Sequence, residues 1–200
     1  MVKGKNVKNN ASITTAIILA GGLSTRMGGK DKSLLQVGDK TLIEHILNRL
    51  QDKFFQIMIG ANSTQDFGFL KNIIVVRDIE QGKGPLMGLY SCLSASNTDI
   101  NLVTTCDNPK PNLKLAREMI KALANHDAVV PMSINGKIDP LFAVYRKSVA
   151  QNAKNLLDKG VGKVMKLLDI IDVSYFNTAE RDEIKNINSS KEFEEFLKKT

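Results

Sequence analysis

The sequence predicts an α/β domain of three layers, in which helices cover both faces of a mainly parallel sheet. Short apolar runs alternate along the chain with stretches whose apolar residues recur at helical spacing. The first apolar run, 16–20, ends abruptly at a glycine pair and a basic loop, and polar residues follow several later runs in the same way. In sheets of this kind ligands bind at the carboxyl ends of the strands, so a candidate site is expected there.

The strand predictions rest on short apolar runs that stop at polar, glycine or proline residues. The run at 16–20 is rich in isoleucine and leucine, as expected of a strand that is covered on both faces. We predict strands at 16–20, 54–60, 73–77, 100–106, 128–132, 141–145 and 173–176, a short extended piece with a turn at 34–39, and another turn at Asn135–Gly136.

Helices are predicted where apolar residues form a stripe and a suitable residue opens the first turn. Thr41 can cap such a stripe, and the fixed φ of Pro85 suits the first turn of another. Ser189 and Glu192 have the spacing of a capping box. We predict helices after Thr41, from Pro85, at 113–123, at 148–158, after Gly162 and after Ser189.

Length and composition indicate one ordinary globular domain. The chain has 200 residues, of which 42% are apolar and 24% are charged, and a chain of this size buries a substantial core. Residues 1–12 hold few bulky apolar side chains, too few to offset the entropy lost on ordering. We therefore predict a flexible N-terminal leader at 1–12 and a single domain at 13–200.

Charge and cysteine content exclude several classes of function. The formal net charge is +7, and Lys3, Lys5 and Lys8 of the leader supply three of these charges. The remainder fits an anionic small molecule, and no aromatic-studded basic motif indicates a nucleic-acid partner. Cys92 and Cys106 make neither a disulfide framework nor a zinc site, which favours a reducing compartment, the cytoplasm. No segment reaches the length of a membrane-spanning helix, so we expect no membrane partner.

The loop after the first strand has the features of an anion-binding loop. Gly21, Gly22, Gly28 and Gly29 allow backbone N–H groups to turn inward, and Arg26, Lys30 and Lys32 add positive charge. The spacing is neither that of a Walker A loop nor that of the dinucleotide fingerprint Gly-x-Gly-x-x-Gly. A plain solvated turn after an edge strand remains the alternative at this point.

Polar residues at the ends of the next strands predict a nucleotide pocket. Asn62, Asp78 and Asp107 follow the second, third and fourth predicted strands, so their side chains should converge on the crevice that holds the glycine loop. A hard cation such as Mg²⁺ could bind the Asp107 carboxylate together with phosphate oxygens. Taken singly, each of these residues could instead be a turn or cap residue that satisfies its own backbone.

Taken together, these motifs resemble those of the molybdenum cofactor guanylyltransferases, which belong to the nucleotidyltransferases of glycosyltransferase-A-like fold. Residues 19–32 read Leu-Ala-Gly-Gly-x-Ser-x-Arg-Met-Gly-x-x-Asp-Lys, a long and specific signature. The resemblance covers roughly 15–197, and its further motifs are Asn62, Asp78, Gly84-Pro-Leu, Cys106-Asp-x-Pro, Pro140-Leu and Asn186-x-Asn.

The resemblance implies a Rossmann-like nucleotidyltransferase fold and a set of site residues. It implies that Arg26, Lys32 and Asp107 are catalytic and that Asp107 binds the metal, Mg²⁺ or Mn²⁺. The nucleotide contacts that it implies are Leu19, Ala20, Gly21, Gly22, Lys32, Asn62, Asp78, Gly84, Pro85 and Asp107.

Three positions depart from the family pattern. Thr105 stands where proline is more common, Asp139 replaces the histidine of a His-Pro-Leu motif, and Ser189 replaces threonine after Asn186-x-Asn. The Asp139-Pro140-Leu141 stretch would face the second substrate. His45 and His126 lie in or beside helical stripes, so we expect structural roles for both.

The activity implied by the resemblance is transfer of GMP from GTP to the phosphate of molybdopterin or molybdenum-molybdopterin, with release of pyrophosphate. Molybdoenzymes and their chaperones would be further partners, and the protein would act as a monomer. Two enzymatic alternatives stay open, a cytidylyltransferase for molybdopterin and a sugar-phosphate nucleotidyltransferase. A third alternative is a non-catalytic nucleotide-binding protein that delivers the cofactor.

Overall fold

The computed structural model describes residues 13–21, 31–62, 65–71, 73–178, 187 and 189–197. Its strands alternate with its helices in the order that the sequence predicts. The strands are β1 (Thr14–Leu19), β2 (Gln36–Val37), β3 (Lys40–Thr41), β4 (Gln56–Ala61), β5 (Ile74–Arg77), β6 (Ile100–Thr105), β7 (Ala128–Met132), β8 (Ala143–Arg146) and β9 (Val173–Asn177). The helices are α1 (Leu42–Leu50), α2 (Pro85–Ala95), α3 (Leu113–Ala122), α4 (Val149–Leu157), α5 (Val164–Leu168) and α6 (Ser190–Leu197).

One seven-stranded sheet organises the domain, in the order β5-β4-β1-β6-β8-β7-β9. The pairs β5–β4, β4–β1, β1–β6 and β7–β9 are parallel. Only β8 runs antiparallel to its neighbours β6 and β7 within the described sheet. The prediction of a mainly parallel sheet is confirmed, and β2 with β3 forms the small hairpin that corresponds to the predicted extended piece.

Helices cover both faces of the sheet and make the three predicted layers. Along β1, Ile17 and Leu19 point into a cluster with α2, α4 and α5, whereas Ala16 and Ile18 point into a cluster with α1. A third cluster joins α3 to β6, β7 and β8. This two-sided burial explains why the strand reads as a continuous apolar run.

The helix caps lie where the sequence predicts them. The Glu44 carboxylate accepts hydrogen bonds from the backbone N–H and the hydroxyl of Thr41, which opens α1. These bonds lower the pKa of Glu44. The Ser189 hydroxyl contacts the Glu192 carboxylate, and the Glu192 N–H donates back to that hydroxyl at the start of α6. Both are capping-box contacts that satisfy the free N–H groups of a first helical turn.

Several boundaries differ from the prediction for physical reasons. The strand predicted at 141–145 begins at Ala143, because the Asp139 carboxylate accepts hydrogen bonds from the N–H groups of Leu141 and Phe142 and holds them in a turn. A 3₁₀ turn at Lys32–Leu34, which the sequence pattern does not predict, is capped by Asp31, whose carboxylate accepts from the Ser33 N–H. No helix among the described residues is long and apolar enough to span a membrane.

A close backbone contact joins the start of α2 to the loop before α5. The Leu86 N–H donates to the carbonyl oxygen of Gly162 at 3.2 Å. A Cβ atom added to Gly162 would lie 2.1 Å from the Lys83 carbonyl oxygen. Gly84, which precedes Pro85, has a φ of +77° and packs on the same loop. Only glycine at position 162 permits this approach.

We expect Gly162→Ala to lower the free energy of unfolding by about 1 to 3 kcal/mol, since the added methyl group must push two backbone segments apart. Thermal unfolding should register this as a fall in Tm on the order of 5 °C. Gly21→Ala is the matched control, because its methyl group would meet its nearest neighbours at 3.6 to 4.0 Å, which is ordinary contact. An unchanged Tm for Gly162→Ala would show that the loop yields freely.

Candidate functional site

The candidate site lies where four parallel strands end at one edge of the sheet. The register pairs Leu19 of β1 with Gly60 of β4 and with Thr105 of β6. It also pairs Ala61 of β4 with Arg77 of β5. The residues that directly follow these strands are therefore neighbours in space although they are far apart in sequence, as expected at the carboxyl ends of a parallel sheet.

Gly21, Asn62 and Asp78 meet at this edge. A Cβ atom added to Gly21 would lie 3.6 Å from the backbone nitrogen of Asn62 and 3.9 Å from Oδ2 of Asp78. On its other side the Asp78 carboxylate lies against Gly88 of α2, where an added Cβ would be 3.5 Å from Oδ1. The structure thus brings together three predicted nucleotide contacts from three different strand ends.

Asp78 is half-buried between glycines. Burial raises the pKa of its carboxyl group, because a charged group loses hydration there. Within the described part of the chain no side chain forms an ion pair with it. Its two oxygens are hydrogen-bond acceptors that lie beside two glycines, Gly21 and Gly88.

Gln65 is a buried residue of this site that the sequence analysis missed. Its side-chain oxygen accepts from the Asn62 N–H at 3.0 Å, and its backbone N–H donates to Oδ1 of Asn62 at 3.2 Å. Its amide nitrogen donates to the Ala20 carbonyl oxygen and to Oδ2 of Asp31. The Asn-x-x-Gln spacing could have indicated a local turn, but the contacts with Ala20 and Asp31 arise only from the tertiary fold.

Lys32 and Asp107 are joined through one residue near the C-terminus. Nζ of Lys32 donates to the carbonyl oxygen of Ile187 at 2.6 Å, and the Ile187 N–H donates to the carbonyl oxygen of Asp107 at 2.7 Å. Ile187 itself is buried. The predicted phosphate ligand and the predicted metal ligand therefore lie on either side of a single anchored residue.

Thr105, a departure from the family pattern, contacts the predicted metal ligand. Its hydroxyl donates a hydrogen bond to Oδ1 of Asp107. Asp107 lies in the turn just after β6, and the following residues Asn108 and Pro109 are buried. The carboxylate is thus held at the end of a rigid strand, which is the placement predicted for it.

At the candidate site, Leu19 and Ala20 present backbone atoms rather than side chains. Both side chains are buried, and their carbonyl oxygens accept from the Cys106 N–H and the Gln65 amide. Gly84 and Pro85 stand at the start of α2, where Gly84 is the N-cap and Pro85 is exposed. Gly22, Arg26, Asn186 and Asn188 lie outside the described residues, so their predicted contacts stay predictions.

The remaining candidates have structural partners. His45 contacts the Val37 carbonyl oxygen at 2.8 Å, and His126 contacts the Asp172 carboxylate at 3.0 Å. Cys92 and Cys106 are not disulfide-bonded. Burial raises the pKa of both thiols to about 12, so they stay protonated at neutral pH.

Known proteins are similar to this chain in sequence and in fold. A molybdenum cofactor guanylyltransferase from Vibrio parahaemolyticus is 30% identical over 188 residues, which cover 92% of this chain and 94% of the relative. The sequence similarity therefore extends over nearly the full length of both chains.

Solved structures share the fold. The molybdopterin-guanine dinucleotide biosynthesis protein A from Archaeoglobus fulgidus superposes with a TM-score of 0.77 at 22% identity, over 94% of this chain and all of that one. A Mycobacterium tuberculosis protein solved as a complex with manganese superposes with a TM-score of 0.64 at 18% identity, over 94% and 99% of the two chains. The sequence pattern of the family described as MobA-like NTP transferase domain matches residues 16–173. The chain therefore belongs to the MobA-like NTP transferase family.

Proposed function

We propose that the protein transfers the GMP moiety of GTP to the phosphate of molybdopterin or molybdenum-molybdopterin, forming the guanine dinucleotide form of the molybdenum cofactor. The observation that carries the proposal is the meeting of Gly21, Asn62 and Asp78 at the carboxyl ends of three strands, where a Cβ atom added to Gly21 would lie 3.6 Å from the Asn62 nitrogen and 3.9 Å from Oδ2 of Asp78. The family and the named relative support the reaction class and the substrates.

The reaction exchanges one phosphoanhydride bond for another. An oxygen of the pterin's terminal phosphate attacks the α-phosphorus of GTP, the bond between that phosphorus and the bridging oxygen breaks, and pyrophosphate leaves. The attacking oxygen is already anionic at neutral pH, so no strong general base is required. Catalysis then depends on positioning and on neutralising negative charge.

Lys32 is suited to the triphosphate and the departing pyrophosphate. Its ammonium group has three N–H donors, and the described structure uses one of them on the neutral Ile187 carbonyl. The remaining donors can reach phosphate oxygens without breaking that bond. Arg26, in the same loop of the sequence, is proposed to act on the same phosphates.

Asp107 fits a divalent cation. Mg²⁺ is commonly bound by one or two carboxylates together with substrate phosphates, so a single carboxylate at the rim suffices. No cluster of three or more His, Cys, Asp or Glu side chains suited to a metal occurs among the described residues. The Thr105 hydroxyl fixes Oδ1 of Asp107 and orients the group. A bound Mg²⁺ or Mn²⁺ would supply charge stabilisation to the phosphates.

A nucleotide panel tests the proposal directly. GTP, CTP, ATP and UTP are each added with Mg²⁺ at one common concentration, about 100 times the dissociation constant for GTP, where a specific ligand adds roughly 2.7 kcal/mol of stability. We expect GTP to raise Tm most and pyrophosphate to appear only when molybdopterin is added. Preference for CTP, or turnover with a sugar phosphate, would favour the enzymatic alternatives. Binding without pyrophosphate release would favour a non-catalytic delivery protein.

Asp107→Asn should reduce Mg²⁺-dependent turnover by at least about two orders of magnitude, comparable to the loss of one strong electrostatic contact in the transition state. The measurement is pyrophosphate release under saturating GTP and molybdopterin. Asp52→Asn is the matched control, since Asp52 is exposed beyond α1, at the opposite end of β4, in a left-handed conformation that asparagine also adopts. Near-normal release by Asp107→Asn would refute the metal assignment.

Gly21→Ala should weaken the use of GTP by about 1 to 3 kcal/mol, because the methyl group would occupy space proposed for the two-ring base. CTP, with its smaller base, should be affected much less. The measurement is the ratio of kcat/KM for GTP to that for CTP in both proteins. The protein itself accommodates the methyl group at ordinary contact distances, so a constant ratio would place base selection elsewhere.

Asp78→Asn should weaken GTP binding by about tenfold or more, because a carboxylate can accept from both N–H groups of the guanine edge and an amide offers one oxygen. The same change should raise Tm at neutral pH. Burial raises the pKa of Asp78, so its ionised form destabilises the fold at pH values above that pKa.

The gain in Tm from Asp78→Asn should shrink as the pH falls and the native carboxyl group becomes protonated. Thermal unfolding across a pH series, with and without GTP, measures both effects. A lower Tm for Asp78→Asn at neutral pH would show that the carboxylate has a stabilising partner.

A further inference from the structure

Gln65 makes hydrogen bonds to three separate parts of the candidate site from a nearly fully buried position. Only 6% of its surface is exposed. Its side-chain nitrogen donates to the Ala20 carbonyl oxygen at 2.9 Å and to Oδ2 of Asp31 at 2.7 Å. Its side-chain oxygen accepts from the Asn62 N–H at 3.0 Å. All of the amide's hydrogen atoms and its oxygen are thereby used on groups at the ends of β1 and β4 and on the loop before β2.

The bonds to Asn62 fix both the backbone and the side chain of that residue. The Asn62 N–H donates to Gln65, and the Gln65 backbone N–H donates to Oδ1 of Asn62 in return. Arg77, the last residue of β5, braces this turn by donating from Nη1 to the carbonyl oxygens of both residues at 3.1 Å. The Asn62 side chain therefore has a defined orientation before any ligand binds.

The bond to Asp31 extends the network toward the phosphate side. Oδ1 of Asp31 accepts from the backbone N–H and the hydroxyl of Ser33, which caps the 3₁₀ turn that carries Lys32. Gln65 holds the other oxygen of the same carboxylate. A shift of Gln65 would therefore loosen the 3₁₀ turn that positions the Lys32 side chain.

Packing alone does not explain a glutamine at this position. An apolar side chain of similar size would bury without the desolvation of an amide, whereas a buried amide is tolerated only when its donors and acceptor are satisfied. Here every hydrogen-bond partner of the Gln65 amide belongs to a residue of the candidate site or to a residue directly beside one in the sequence.

We infer that Gln65 is a positioning residue for nucleotide binding, which holds Asn62 and the Lys32 turn in one fixed arrangement so that nucleoside and phosphates are bound together. The inference rests on the proposed function in that a nucleoside triphosphate is the substrate. Gln65 acts through Asn62 and Asp31 and need not touch the substrate.

Gln65→Glu tests the inference with almost no change in size. The introduced carboxylate keeps the acceptor for Asn62 but loses both N–H donors and faces the Ala20 carbonyl oxygen and the Asp31 carboxylate. We expect the KM for GTP to rise by about tenfold or more, the effect of losing a hydrogen bond to a charged group, with kcat changed far less. A raised KM with a nearly unchanged kcat indicates the loss of an interaction that stabilises the bound substrate and the transition state equally.

A reciprocal exchange separates positioning from general damage. In the double variant Gln65→Glu/Asp31→Asn, the new amide at 31 can donate to the new carboxylate at 65 and still accept from the Ser33 N–H. The KM for GTP should recover by at least about threefold relative to Gln65→Glu alone, as coupled neighbours do in a double-mutant cycle. Asp31→Asn alone tests the same bond from its accepting side, even where Gln65→Glu folds poorly.

Gln56→Glu is the matched control at the opposite end of the sheet. Gln56 opens β4, and its side-chain oxygen accepts from the Thr15 hydroxyl and the Asn97 N–H, contacts that a carboxylate keeps. Its KM for GTP should equal that of the wild-type protein.

All assays are run well below the Tm of each variant. A wild-type KM for both Gln65→Glu and Asp31→Asn, or a raised KM that the double variant does not relieve, would overturn the inference. Failure of the wild-type protein to bind GTP would instead refute the proposed function. The same comparison is then made with whichever triphosphate raises the wild-type Tm, so the two failures remain distinguishable.

Discussion

The shared register of parallel strands is the constraint on which the site depends. Because Leu19 pairs with both Gly60 and Thr105, and Ala61 pairs with Arg77, β1, β4, β5 and β6 end within one residue of the same level. Each strand then needs only one or two following residues to reach a common crevice. The buried apolar runs that hold the strands in this register are thus also what positions Gly21, Asn62, Asp78 and Asp107.

Beyond the strand ends, hydrogen bonds between distant segments stabilise the described part of the site, and ion pairs do not. Gln65 joins the end of β1 to the Asp31 loop, and Ile187 joins Lys32 to the turn that carries Asp107. Near Gly162 the fastening is steric, since two backbones approach too closely for a side chain. Such contacts fix atoms in space without a direct ion pair to Lys32 or Asp107 among the described residues.

Much of the fold follows from local pattern, whereas part of the site does not. The spacing of the apolar residues predicts nearly every helix and strand, together with Thr41, Pro85 and the Ser189 capping box. These signals act between residues that are close in sequence. The turn at Asp139 shortens β8 because the Asp139 carboxylate accepts hydrogen bonds from the backbone. The pattern of apolar residues contains no sign of these bonds. Gln65, Gly162 and Ile187 escape prediction because their roles come from contacts across 34 to 155 positions of sequence, which only tertiary packing creates.

Lys32 and Asp107 have neutral partners, in contrast to the charged side chains that form ion pairs in the described structure. The ion pairs in that part of the chain are Lys83–Glu80, His126–Asp172, Arg146–Asp99, Lys154–Asp158 and Lys166–Asp169. Lys32 donates instead to a neutral carbonyl, and Asp107 accepts from a neutral hydroxyl. Neutral partners orient a charged group while leaving its charge uncompensated. A cation and a carboxylate held in this way suit the proposed metal–nucleotide substrate, whose phosphates would pair with Lys32 and whose metal would pair with Asp107.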